Sequence, residues 1–106
     1  MKPKEGISDR SSTRSKWYDL VGQSGLPIVH PGGAKATRQL LEMCGISQDK
    51  KVFDAGCGTG WTACEIARSR GAHVVGIDLS ETMIARARQR AREENLEDKI
   101  EFCVAD

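Results

Sequence analysis

Val52-Phe53-Asp54-Ala55-Gly56-Cys57-Gly58-Thr59-Gly60 decides the reading of this chain. Two apolar residues lead into an acid, and three glycines follow at alternate positions. Glycines spaced this way let a backbone turn sharply and approach a ligand without Cβ interference. A helix is expected from Trp61 onward, so the turn aims free helical N–H groups at whatever sits there. Asp54 is the discriminating residue. Its charge repels phosphate at the strand mouth and attracts an ammonium or sulfonium group, which points to an adenosyl ligand without phosphates.

Working outward, the sequence expects strand, helix, strand, helix, strand over residues 51–105. The first strand spans 51–54 and its helix 60–70, stopped by Gly71. The apolar run 72–77 reads as a strand covered on both faces. Ser80 caps a helix over 81–94 that Asn95 ends. In 99–105, Ile100, Phe102 and Val104 alternate with Glu101 and Cys103, the pattern of a less fully covered strand. Two right-handed crossovers then build a parallel, doubly wound α/β sheet.

Upstream, residues 34–44 are a helix candidate, with Thr37, Leu40, Leu41 and Cys44 on one face and Gly45 as its stop. The segment 17–50 therefore reads as helix and loop: a helical turn at Trp17 to Val21, then a Pro/Gly-rich loop to Gly33. Residues 1–16 carry five basic and two acidic side chains and almost nothing apolar. They read as a disordered basic tail, because burial there cannot offset chain entropy.

The bulk composition excludes several classes. With 16 Lys+Arg against 15 Asp+Glu, no global field favours nucleic acid or an anionic membrane. No apolar run approaches the roughly 18 residues of a membrane span, and there is no signal-peptide core. Cys44, Cys57, Cys64 and Cys103 form no C-x-x-C pair. Space-filling free thiols in a cytoplasmic protein are expected, and no metal site.

A dinucleotide site is the rival for the glycine loop. Gly58-Thr59-Gly60-Trp61-Thr62-Ala63 satisfies G-x-G-x-x-[GA], and Asp78 lies about twenty residues on, where an acid can hold ribose hydroxyls. Against it, Asp54 stands where pyrophosphate would lie. Asp54, Asp78 and Asp106 each end a strand, so all three are placed at the carboxyl edge of the sheet, where ligands bind. Such a set suits an ammonium, a diol and an exocyclic amine.

Asp54-Ala55-Gly56-Cys57-Gly58-Thr59-Gly60 resembles motif I of the class I S-adenosylmethionine-dependent methyltransferases. Val75-Gly76-Ile77-Asp78-Leu79-Ser80 and Phe102-Cys103-Val104-Ala105-Asp106 resemble that family's second- and third-strand motifs, in order. The resemblance covers 51–106 and implies a Rossmann-like methyltransferase fold with S-adenosyl-L-methionine as cofactor. It implies Asp54 near the methionine amino group, with Gly56, Cys57, Gly58 and Gly60 forming the loop around that moiety. Asp78 would hold the ribose hydroxyls, Leu79 and Met83 would pack on adenine, Asp106 would accept from its amine, and Ala105 would offer backbone to the ring edge. The activity implied is methyl transfer to an acceptor, with 17–44 resembling the small-molecule enzymes. A catalytic residue is not assignable.

The family builds its acceptor site beyond the third strand, so the chain reads as the N-terminal half of such a domain, truncated there. It is expected either as a portion of a longer enzyme or as a ligand-binding remnant, and a homodimer through the exposed edge of the first strand is expected if it stands alone. Arg86, Arg88, Arg90 and Arg92 read as a solvated, ion-paired face near Glu93, Glu94 and Glu97, with no interleaved aromatics to make a nucleic-acid surface. His30 reads as a surface or structural residue and His73 as without chemistry. Trp17 and Tyr18 are candidates for a flap over the ligand or for packing on the sheet.

Overall fold

A computed structural model describes Lys16, Leu20 and residues 33–106. The expectations for the basic tail, the Trp17–Tyr18 flap, His30 and the Pro/Gly-rich loop lie outside the described residues. The elements run α1 (Gly33–Cys44), β1 (Lys51–Ala55), α2 (Trp61–Arg70), β2 (His73–Asp78), α3 (Glu81–Glu93) and β3 (Ile100–Val104). The strands form one parallel sheet ordered β1-β2-β3, with Phe53 in register with Val75 and Gly76 with Phe102.

Local chemistry sets the boundaries. Gly71 ends α2 at φ 68°, its N–H donating to the Ala67 carbonyl. The Ser80 hydroxyl accepts from the Met83 N–H at 3.2 Å and caps α3. At the other end of α3, Asn95 takes φ 57° while Asn95 N–H donates to Arg92 O and Leu96 N–H to Ala91 O. That pair of bonds is a Schellman motif, and the buried Leu96 supplies its apolar contact.

Both crossovers advance across the sheet in the same direction, so right-handed connections bring α2 and α3 to one face. The core lies there: Val74, Ile100 and Phe102 meet Ala63, Ile66, Ile84 and Ala87. Gly76 makes room for Phe102, since a Cβ on it would stand 2.7 Å from that ring. No helix among the described residues covers the opposite face. Phe53 is 64% exposed, and Val75, Ile77 and Cys103 are only half-buried. Among the described residues β2 is covered on one face only, where its apolar run predicts cover on both: such a run shows that a strand wants cover, not which element supplies it.

The face expected of α1 is also only half right. Thr37 and Leu41 are buried, but Leu40 and Cys44 are exposed. A short helix resting on its neighbour along one narrow line buries the i, i+4 pair and leaves the flanks wet. Arg38 fastens α1 to α2. It pairs with the buried Glu65 at 3.2 Å and lies 5.7 Å from the ring centre of Trp61, the first residue after the glycine loop. Arg68 binds the same Glu65 and also Glu94 beyond α3.

Candidate functional site

The glycine loop leaves β1 as expected, with Gly56, Gly58 and Gly60 at φ 72°, 56° and 82°. Three bonds hold it. Cys57 N–H donates to Ile77 O at 2.8 Å, Gly60 N–H to Cys57 O at 3.1 Å, and Gly58 N–H to Asp78 Oδ2 at 2.9 Å. Those three donors are thus engaged within the protein, and what the loop can offer a ligand is close approach. Nothing described lies within 4 Å of a Cβ built on Gly56 or Gly58. Gly60 differs, because a Cβ there would meet Ala87 on α3 at 2.8 Å. It is the N-cap of α2 and, having no side chain, makes no capping bond of its own to the first-turn N–H groups.

Asp78, at the end of β2, accepts from Gly58 N–H through one oxygen and from Ser80 N–H at 3.0 Å through the other. An ionised carboxylate has about four acceptor sites, so two remain. Asp54 is otherwise placed. Its Oδ2 is buried without any hydrogen-bond partner. Burial, and then the charge of Asp78, raise its pKa above the ordinary carboxylate value. Cys57 lies beside both acids, and burial together with their charges pushes its thiol up to about 12. It stays neutral at physiological pH and is no nucleophile.

Asp54, Cys57, Gly58 and Asp78 are therefore brought together, and Ala105 joins them because its N–H donates to the Asp78 carbonyl at 3.0 Å. That bond leaves Ala105 only its carbonyl to offer. Leu79 stands 71% exposed beside the cluster, and Asp106 is exposed beyond β3. Met83 is 1% exposed, yet it stands apart from the core cluster that holds Ile84, Ala87 and Ala91.

Two arginines of α3 depart from the ion-paired face expected. Arg88 donates to Phe102 O at 2.8 Å and Arg90 to Thr59 O at 3.0 Å. Arg86 binds Gln89, and Glu94 pairs with Arg68 of α2. A bond from a side chain to a backbone carbonyl thirty-one residues away leaves no periodic trace in a sequence.

A cavity of about 430 Å³ opens at the opposite edge of the sheet, among Lys50, Lys51, His73 and Lys99 with Asp49 and Glu97. It lies at the amino ends of the strands, where parallel sheets do not carry ligands. The carboxyl edge is the candidate site. Its partnerless acid fits a cationic group, and the open space over Gly56 and Gly58 fits close approach of a nucleoside-linked chain.

One consequence concerns pH. A carboxyl whose folded pKa is raised binds more protons folded than unfolded, so its contribution to stability falls as pH rises from about 4 through the folded value. Asp54→Asn is expected to flatten that decline. Unfolding midpoints between pH 4 and 8 check this, and parallel curves for the two proteins contradict it.

Comparison with known proteins bears on the same residues. A family model described as a methyltransferase domain matches residues 52–106. The chain is 43% identical over 83 residues to Methyltransferase GfsG of Streptomyces halstedii, covering 78% of this chain and 30% of that protein. Among solved structures it resembles an S-adenosylmethionine-dependent methyltransferase from Geobacter sulfurreducens in complex with S-adenosylhomocysteine. There the TM-score is 0.75 and the identity 28%, over 84% of this chain and 36% of that one. An RNA methyltransferase from Salinibacter ruber, also in complex with S-adenosylhomocysteine, matches with TM-score 0.69 and 28% identity over 73% of this chain and 50% of that one. The chain spans a third or less of the length of the curated relatives it matches first. With its glycine loop, strand-end acids and parallel sheet in that family's order, the chain belongs to the class I S-adenosylmethionine-dependent methyltransferases.

Proposed function

We propose that this chain forms the cofactor-binding part of an enzyme transferring a methyl group from S-adenosyl-L-methionine to a small-molecule acceptor. The partnerless buried oxygen of Asp54, beside a second acid and a glycine loop, carries the reading. S-adenosylmethionine, when bound, supplies an electrophilic methyl group on a sulfonium. Asp54 faces its ammonium, a charge that favours the ionised carboxylate and so opposes the upward shift imposed by burial. Asp78 keeps the loop in place with one lone pair on each oxygen and offers the others to the ribose diol. The first turn of α2, with glycine at its N-cap, receives the ligand carboxylate. Leu79 covers one face of adenine, and Asp106 and the Ala105 carbonyl meet its edge. The protein aligns donor and acceptor and excludes water, which is worth several kcal/mol (~7 or more in well-oriented systems).

Engagement of Arg88 and Arg90 with backbone carbonyls argues against a nucleic-acid surface on α3 and favours a small acceptor. No described helix is long and apolar enough to cross a membrane, and the free thiols of Cys44, Cys57, Cys64 and Cys103 suit a reducing, cytoplasmic setting. If the chain stands alone, the edge of β1 that no described strand pairs, together with the exposed Phe53, favours pairing with a second copy. Sedimentation as a monomer at all concentrations overturns that part. Methyl-labelled S-adenosylmethionine, supplied with a cell extract, tests the activity. Label is expected in the low-mass fraction, and label in RNA or protein overturns the choice of acceptor.

A further inference from the structure

We propose that Arg90 is a positioning residue for the glycine loop, holding the Thr59–Gly60 peptide in the one orientation that serves the ligand. The inference rests on the reading of that loop as the cofactor site. Arg90 Nε–H donates to the Thr59 carbonyl at 3.0 Å from α3, across thirty-one residues of sequence. The other end of the same peptide unit, the Gly60 N–H, donates to Cys57 O at 3.1 Å. A peptide unit is planar, so fixing its oxygen and its hydrogen together fixes the whole plane.

Such fixing matters here because glycines flank this peptide closely. Gly58 and Gly60 both sit at positive φ, and glycine visits either sign of φ at little cost. A flipped plane would break the Cys57–Gly60 turn and reverse the local dipole at the start of α2. Contact alone does not prevent this. Ala87 lies under Gly60, one turn before Arg90, and sets how near the loop comes to α3. It does not set which way the carbonyl points. Arg90 does, and a charged donor makes a stronger bond than a neutral one. Arg86, Gln89, Arg90 and Glu93 line a crevice of about 180 Å³ that Thr59 closes. The crevice lies beside the rest of the guanidinium while Nε faces the loop.

Two substitutions separate this role from a general one. Arg90→Met keeps the stem and removes the donor. Arg90→Gln places an amide nitrogen as many bonds from Cα as Nε is, so it restores a neutral donor at the same reach. Three readouts are needed: hydrogen exchange of the Gly60 amide in ligand-free protein, affinity for S-adenosylhomocysteine by calorimetry, and the unfolding midpoint. In Arg90→Met, Gly60 exchange is expected to quicken, and affinity to fall, about tenfold, with little change in midpoint. Arg90→Gln is expected to restore both to within about threefold of the parent.

The proposal is overturned if Gly60 exchange is the same in Arg90→Met and the parent, or if Arg90→Gln fails to restore it. It is equally overturned if exchange and affinity simply follow the midpoint. Should S-adenosylhomocysteine bind none of the three proteins, the cofactor reading fails, and Gly60 exchange alone still decides the role of Arg90.

Discussion

Asp78→Ala is expected to weaken S-adenosylhomocysteine binding by about a hundredfold or more. This one carboxylate does three things. One oxygen holds Gly58 N–H, the other holds Ser80 N–H, and in the proposed reading the remaining lone pairs would serve the ribose. Truncation removes the ligand contact and orphans two backbone donors, one in the loop and one at the start of α3. Each unmet donor costs about 1 kcal/mol where it is partly solvated, so the midpoint falls as well. Asp78→Asn separates the two effects. Its single carbonyl oxygen can serve only one of the two donors, while its NH2 group opposes the other. It is expected to retain the fold and still bind at least about tenfold more weakly than the parent. Calorimetric titration beside denaturant unfolding checks both proteins, and parent-like affinity in Asp78→Ala refutes the assignment.

Gly60→Ala is expected to be the most damaging single methyl in the loop. The new Cβ would stand 2.8 Å from Ala87 Cβ, 3.0 Å from Ala87 Cα and 3.0 Å from Phe102 Cζ. The Ala87 atoms belong to helix backbone or its first side-chain atom, so no rotamer change relieves them. A left-handed conformation at φ 82° adds about 1–2 kcal/mol for any L side chain. Overpacking of this kind adds about 1–3 kcal/mol. Gly58→Ala is the matched control. It meets the same left-handed penalty at φ 56° but open space instead of α3. Denaturant midpoints of the two variants should therefore differ, with Gly60→Ala the lower. Equal losses would mean that backbone conformation, not the closeness of α3, governs this loop.

Much of this was legible in the chain, because local rules and fold agree over 51–106. Three alternate glycines, Ser80 before an apolar-striped helix, and Asn95-Leu96 after it each describe their own backbone geometry. The bounds of the helices and strands follow from them. What stayed hidden depends on partners distant in sequence. Leu79 and Met83 both read as adenine contacts, and only the structure shows how unlike they are, Leu79 exposed before α3 and Met83 buried in its first turn. Gly76 looks like any strand residue until Phe102 is placed against it. Arg90 belongs by periodicity to a wet face, and only the loop folded back on α3 gives it the Thr59 carbonyl. Cover on the second face of β2 was expected from its apolar run, but a sequence shows demand for burial without naming the supplier.

Paired titrations of S-adenosylhomocysteine and NADH into the chain test the central claim most directly. Asp54, with its buried partnerless oxygen and raised pKa, should admit an ammonium and turn away a diphosphate. Saturable binding of S-adenosylhomocysteine with no heat from NADH is the expected result. Saturation by NADH with none by S-adenosylhomocysteine would contradict it.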